Sequence, residues 1–164
     1  GYDIAIRIGK LQESSLVARQ LAPVRLVVCG SPEYLAEHGI PESPGELTDH
    51  ECLHYTLASD SGRWRFKDAG HARDVKINGR FSANNGDALR LAALAGRGLV
   101  MQPTFIVGDD IRAGRLQIVL ADYEADPLAV YAVYAHRQYL SAKVRTFVDF
   151  LGDYFGSPPY WECP

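Results

Sequence analysis

A strand, a thin helix and a second strand follow one another across residues 81–103, and this unit constrains the chain more than any other stretch. Phe81, Ser82 and Ala83 are strand-type residues that break into Asn84-Asn85-Gly86. Ala88, Leu89, Ala92, Ala93 and Ala95 then predict a helix slim enough to pack closely on a sheet, with Asn84 or Asn85 as its N-cap and Gly96 as its stop. The residues from Gly98 to Pro103 return as an apolar strand. Strand, helix, strand in this order is a unit of an open α/β sheet. In such sheets, ligands sit beyond the carboxyl ends of the strands, beside uncovered helix starts. The N–H groups after Asn84 therefore face a place where a small polar ligand could bind, although an ordinary capped helix explains the same residues.

The rest of the chain supplies the remaining elements. Ile4, Ile6 and Ile8 alternate with Ala5 and Arg7, a strand with almost no lead-in, so the chain reads as beginning inside a fold. Residues 15–21 and 24–29 read as two further strands with Pro23 as the joint between them. Ser31-Pro32 opens a helix that Gly39 ends, and Ser43-x-x-Glu46 has capping-box spacing for a short helical turn ending near Asp49. Residues 52–56, 63–67 and 73–83 are expected as three strands of one meandering sheet, turning at Asp60-Ser61-Gly62 and Asp68-Ala69-Gly70. Thr104 is expected to cap a helix that Gly114 ends; residues 116–120 form a strand, residues 123–127 a linker, and residues 128–135 another strand.

From Ser141 onward, Val144, Phe147, Val148, Leu151, Tyr154 and Phe155 recur at helical spacing. That closing helix needs a sheet to lie on, and the strands left for it are those near the start and residues 128–135. The termini are thus expected to share one lobe, residues 1–24 with 127–156, and residues 25–126 to form a second. Residues 157–164 read as a frayed tail.

Bulk properties narrow the function. At 164 residues, 47% hydrophobic and 23% charged, the chain can bury a core. A net charge of −3 without a Lys/Arg-rich run argues against this chain itself gripping nucleic acid or an anionic membrane. No apolar run reaches the length of a membrane span, and no leader stands at the start. Three scattered cysteines, Cys29, Cys52 and Cys163, fit a reducing compartment, and the expected location is cytoplasmic. Cys29, inside Leu26-Val27-Val28-Cys29, reads as a small buried hydrophobe.

One motif must be confronted. His50-Glu51-Cys52-Leu53-His54 matches the His-Glu-x-x-His zinc-protease pattern, which requires a helix to bring both histidines to one face. The residues from Cys52 to Thr56 are strand formers, and on a strand the two histidines stand roughly 13 Å apart, too far for one zinc ion. No nucleophile elbow, Walker loop or dinucleotide fingerprint is present, so neither an enzyme nor a cofactor or metal is expected. Arg7 interrupts an apolar strand at its carboxyl end and is either a ligand's carboxylate partner or a solvated or internally paired arginine. Gln102-Pro103-Thr104 joins a buried strand to a helix start, again at a carboxyl end.

Taken in order and spacing, residues 2–9, 14–19, 31–39 and 50–53, the Trp64-Arg65-Phe66 triplet, the 79–103 unit, Gly114-Arg115-Leu116 and residues 144–151 resemble the effector-binding domain of LysR-type transcriptional regulators, in the subgroup typified by CrgA. The resemblance implies an α/β fold with two lobes like type 2 periplasmic binding proteins and a small-molecule inducer, with a carboxylate among its candidate groups, held between them. It implies a homodimer or homotetramer that contacts DNA through a winged helix-turn-helix outside this chain. It also implies a first lobe incomplete at its N-terminus, with an exposed apolar edge beside Asp3 to Ile8. The inducer contacts it suggests are Arg7 and Gly9, the turn at Ala83, Asn84 and Asn85, and the turn at Gln102, Pro103 and Thr104, with Met101 and Phe105 on the apolar side. The alternative of similar architecture is an exported solute-binding protein serving a transporter.

Overall fold

The structure, a computed structural model, describes residues 2–9, 16–57, 62–68, 70–125, 127–134 and 141–162. Its strands and helices are, in chain order, β1 (Ala5–Gly9), β2 (Val17–Val24), β3 (Leu26–Gly30), α1 (Pro32–His38), β4 (Cys52–Tyr55), β5 (Arg63–Asp68), β6 (His71–Lys76), β7 (Ser82–Ala83), α2 (Gly86–Leu94), β8 (Leu99–Pro103), α3 (Thr104–Arg112), β9 (Gln117–Val119), β10 (Glu124–Ala125), β11 (Leu128–Tyr134) and α4 (Ala142–Phe155). Short 3₁₀ turns cover Pro44–Asp49 and Tyr160–Glu162. The chain divides into two compact units, Gly1–Val24 with Pro127–Pro164, and Arg25–Asp126.

In the first unit β11 is the centre of an antiparallel sheet ordered β1-β11-β2. A central strand buries both faces, and Ala129, Val130, Ala132, Val133 and Tyr134 are all buried. β2 runs through Pro23, which pairs with Ala129, instead of breaking there as its sequence suggested. An edge strand tolerates a proline because one side of its backbone needs no ladder partner. Helix α4 starts at a Ser141 cap whose Oγ accepts the Val144 N–H at 3.3 Å, and it buries Val144 and Val148 against Ala132 and Tyr134. The expected frayed tail is instead folded back: Trp161 is buried with Ala22, Val24 and Val130, and Phe155 packs beside it. An indole removes enough apolar surface from water to outweigh the entropy of ordering a few residues.

The second unit is built on a sheet ordered β7-β4-β8-β3-β9, in which β7, β4 and β8 are mutually parallel and β3 is antiparallel to β8 and β9. Strand alternation sorts its core into two clusters. Val27, Cys29, Leu53 and Val100 face Leu89 and Ala93 of α2 and Val107 of α3. Val28, Cys52 and Leu99 face Tyr34 and Leu35 of α1, Leu47, and Trp64, Phe66 and Val75 of the β5-β6 hairpin. That hairpin belongs to a separate small sheet ordered β10-β5-β6, so the one meandering sheet expected for residues 52–83 is two sheets. The expected linker at residues 123–127 supplies β10, whose Glu124 and Ala125 pair with Lys67 and Phe66. The turn residues Asp60, Ser61 and Ala69, the linker's Asp126, and Cys163 lie outside the described residues.

Caps explain most element ends. Ser31 Oγ accepts the Tyr34 N–H at 3.2 Å, and Gly39 ends α1 with φ 88°. At Ser43-x-x-Glu46 the reciprocal box does not form. Ser43 Oγ donates to Glu46 Oε1 at 2.8 Å while Glu46 Oε2 accepts the Glu42 N–H at 3.1 Å, and the turn is 3₁₀. Two glycines let neighbouring backbone press on the start of β4: a Cβ on Gly79 would lie 1.8 Å from the Cys52 carbonyl oxygen, and one on Gly98 would lie 2.4 Å from that of Glu51. Both approaches carry hydrogen bonds, Cys52 N–H to Asn78 O at 2.7 Å and Leu99 N–H to Glu51 O at 2.8 Å.

Candidate functional site

Because β7, β4 and β8 are parallel, their carboxyl ends at Ala83, Tyr55 and Pro103 fall at the same edge of the sheet, and α2 and α3 both begin there. Asn85 is the α2 cap, its Oδ1 accepting the Ala88 N–H at 3.1 Å. Asn84 is exposed beside it and Ala83 is half-buried. The amides of Gly86 and Asp87 have no protein acceptor among the described residues, so the positive end of α2 is open to a ligand.

The second turn meets the first closely. Gln102 is buried, and its Oε1 would stand 3.2 Å from a Cβ placed on Gly86, with Ile106 Cδ1 of α3 at 2.7 Å. Gly86 is therefore the point where the β7-α2 turn and the β8-α3 turn touch. The turn-like sequence Asn84-Asn85-Gly86 hid this role. The available signal is a glycine at the first position of a helix, where a larger side chain would hold the neighbouring turn away.

Thr104 does something other than cap. It is the first residue of α3, Pro103 is the N-cap, and both the Thr104 N–H (3.0 Å) and its hydroxyl (3.3 Å) donate to the Arg25 carbonyl oxygen. Its amide is thus spent on Arg25, the residue just before β3, and Thr104 anchors the turn instead of offering donors. Phe105 is 36% exposed at the head of α3. Met101 packs against the Val28, Tyr34 and Leu99 cluster, on the face of β8 opposite to Gln102. Arg7 and Gly9 belong to the first unit, on β1 opposite Tyr131 and Ala129, where Arg7 is exposed with no side-chain partner among the described residues.

An ion cluster centred on one buried carboxylate was not anticipated. Asp110 on α3 is 0% exposed and accepts from Arg90 of α2 and from Arg115, whose Nε donates at 2.8 Å and Nη2 lies at 2.6 Å. Its main-chain oxygen also accepts the N–H groups of Arg115 (2.8 Å) and Leu116 (3.2 Å). Burial by itself would raise the Asp110 carboxyl, but the hydrogen bonds and charges of the two guanidiniums outweigh it and hold the group below the usual carboxylate range. The same pair raises Arg90, with the Asp110 hydrogen bond as the main cause. The cluster fixes α2 to α3 and hence the relation between the two helix starts. Its sequence signal was an aspartate three residues after Val107, on the apolar stripe of α3.

The histidine motif takes the strand form. His50 ends the Pro44–Asp49 turn, His54 lies in β4, and among the described residues no three His, Cys, Asp or Glu side chains are placed to hold a metal ion. Cys29 and Cys52 are buried, and burial first, with Asp110 and Glu51 respectively adding to it, pushes each thiol up to about 12. Neither is a nucleophile at neutral pH. Among the described residues no helix is long and apolar enough to cross a membrane.

Three parallel strands thus end at one edge of a mixed α/β sheet, where the start of α2 is open and the start of α3 is anchored to the Arg25 carbonyl oxygen. The family model for the LysR substrate binding domain matches residues 1–156, and the chain belongs to that family. It is 37% identical over 155 residues to the HTH-type transcriptional activator AaeR of Escherichia coli, covering 94% of this chain and 50% of that protein. It is 39% identical over 156 residues to the HTH-type transcriptional regulator CrgA of Neisseria meningitidis, covering 94% and 52%. The solved regulatory domain of CrgA superposes with a TM-score of 0.80 over 94% of this chain and 76% of that one, at 39% identity. Full-length AphB of Vibrio cholerae gives 0.80 at 30% identity, over 93% and 52%. The chain spans about half the length of the curated relatives it matches. These relatives are transcription regulators and lend no support to an exported solute-binding protein.

Proposed function

We propose that this chain is the effector-sensing part of a cytoplasmic bacterial transcription regulator. A small molecule binds it, the occupied arrangement is favoured over the empty one, and the change passes through a homodimer or homotetramer to winged helix-turn-helix segments outside this chain that hold DNA. The observation that carries the reading is the open start of α2 at Gly86, where it meets Gln102 of the anchored β8-α3 turn, at the carboxyl edge of a sheet belonging to this family.

In the proposed site the amides of Gly86 and Asp87 donate to the effector, and Asn84, Asn85, Gln102 and Pro103 shape the polar wall. Phe105 supplies apolar contact, and Thr104 holds the second turn in place. Asp87, in the first turn of α2, already uses part of the helix's positive end, which favours an effector with no more than a single negative charge. In the first unit we propose Arg7 as the partner of a carboxylate or carbonyl oxygen, with Gly9 giving it room. Met101 acts from the core, by setting the position of β8.

The test is thermal unfolding and calorimetry of the protein against a panel of small aliphatic and aromatic monocarboxylates, followed by promoter binding of the intact regulator. A saturable ligand whose affinity falls at least tenfold in Asn85→Ala supports the assignment in the second unit, and one whose affinity falls at least tenfold in Arg7→Ala supports the assignment in the first. A ligand that binds equally well to both variants removes these residues from the site.

A further inference from the structure

The first histidine of the rejected zinc motif has a partner of its own. Tyr34 of α1 is 2% exposed and lies between two histidines. His38 stacks on its ring at 4.4 Å and 13°, and His38 Nδ1 donates to the Tyr34 carbonyl oxygen at 3.2 Å. On the other side the Tyr34 hydroxyl lies 3.1 Å from His50 Nδ1, and it accepts the Glu51 N–H at 3.0 Å. One phenol therefore ties α1 to His50 and Glu51, the two residues that lead into β4.

Proton counting fixes the state of this contact. A phenol has one proton to donate and lone pairs to accept with. Glu51 N–H fills an accepting position, and among the described residues His50 Nδ1 is the acceptor within reach of the hydroxyl proton. His50 Nδ1 must then be unprotonated and its proton must sit on Nε2. If Nδ1 gains a proton, two donors face each other; turning the hydroxyl to accept from Nδ1 leaves its own proton without a partner in a buried place, which is unfavourable.

We propose that His50 is an acid-sensitive latch: unprotonated, it holds the Tyr34 hydroxyl and with it the α1-β4 corner, and protonation releases the corner. The latch is separate from the effector residues and holds whether or not their assignment is right.

The groups facing His50 come from each element around it. α1 contributes His38 and the 3₁₀ turn contributes Glu46 and Asp49; the next residue along the chain, Glu51, lies before β4 and is paired with Arg80 at 3.4 Å. β6 places Arg73 over Gly45 of the turn, with its guanidinium also paired to Asp68 at 3.5 Å. Burial and the neighbouring His38 push the His50 imidazole below its ordinary value, against Asp49 and Glu46, which raise it. A base lowered in the folded state binds its proton more readily when unfolded. Its contribution is therefore complete above the ordinary histidine value of about 6.5 and is lost as pH falls below it. Burial keeps the Tyr34 phenol protonated over this whole range, with the Glu51 N–H opposing it only in part.

The released element matters because β4 leads to the carboxyl edge of the sheet. His54 N–H donates to Phe81 O and Thr56 N–H to Ala83 O, each at 3.0 Å, so the strand held by the latch is bonded to the segment that ends in Asn84 and Asn85.

The test is NMR of the 164-residue chain. The imidazole nitrogen shifts of His50 should show the Nε2–H tautomer near neutrality and a titration midpoint below about 6.5. Exchange of the Glu51 amide, referenced to its free-peptide rate, should lose about tenfold in protection between about pH 7.5 and about pH 5.5, and His50→Gln should abolish that loss. An Nδ1–H tautomer, a midpoint at or above the ordinary value, or an unchanged Glu51 protection overturns the latch. So does the same loss in His50→Gln, which would assign the titration to His38. If His50→Gln does not fold, the tautomer and midpoint of the unsubstituted protein decide the question alone.

Discussion

β1 and β3 are both five-residue apolar strands, and they meet opposite environments. In β3, Val27, Val28 and Cys29 are each at most 5% exposed, because helices cover one face of the sheet and α1 with the β5-β6 hairpin covers the other. In β1, Ile6 is 45% and Ile8 50% exposed, and among the described residues the strand is a sheet edge paired with β11 alone. Composition alone does not separate these strands. What separates them is how many layers of the chain lie over each. The second unit closes its core from its own residues, whereas the first leaves an apolar edge of the kind that recruits another strand.

This contrast can be broken by measurement. The largest effect is expected at Leu89, fully buried between α2 and the sheet: Leu89→Ala should cost about 2–5 kcal/mol in denaturant unfolding. An effect near that of a surface residue would mean the second unit is not closed. Asp110→Asn should follow at about 2–4 kcal/mol, since it removes charge-assisted bonds from Arg90 and Arg115 while leaving both cations in place. Because the Asp110 carboxyl is held below its ordinary range, its contribution is complete at neutral pH and disappears as pH falls below about 4. Acid melts of the wild type and Asp110→Asn should converge there.

Gly86→Ala should cost about 1–3 kcal/mol, as the new methyl group displaces Ile106 Cδ1 and crowds the Gln102 carboxamide. The smallest change in stability belongs to β1. Ile8→Thr should shift unfolding by less than about 1 kcal/mol, given its half-exposed side chain, while reducing any concentration-dependent association seen by light scattering. A large loss of stability there would show that the edge is covered in solution.

Much of the second unit was legible because its local signals agree. Ser31-Pro32 with Gly39, Asn85 with Gly96, and the unbroken apolar run of Val27, Val28 and Cys29 each point to the element that forms. Long-range pairing was not legible. Nothing local in Glu124-Ala125 says that it joins Lys67 and Phe66, and nothing near Trp161 says that Ala22 and Val130 wait for it. At the candidate site the two turns could be read, since each is a strand end followed by a helix start. The facing direction of individual side chains could not. Met101 and Gln102 are neighbours in sequence and lie on opposite sides of β8, and Thr104 gives its donors to Arg25.

The two glycines against β4 also bear on how the chain can vary. At Gly79 and Gly98 the obstacle is main chain, the carbonyl groups of Cys52 and Glu51, and no choice of rotamer moves it aside. A saturation library should therefore return glycine alone at both positions, whereas Gly45, whose nearest neighbour is the movable guanidinium of Arg73 at 3.3 Å, should accept alanine or serine. Among sequences that share this domain, the pair would then serve as a fixed ruler, 19 residues long, from which the register of β4 can be recognised even where every side chain around it has changed.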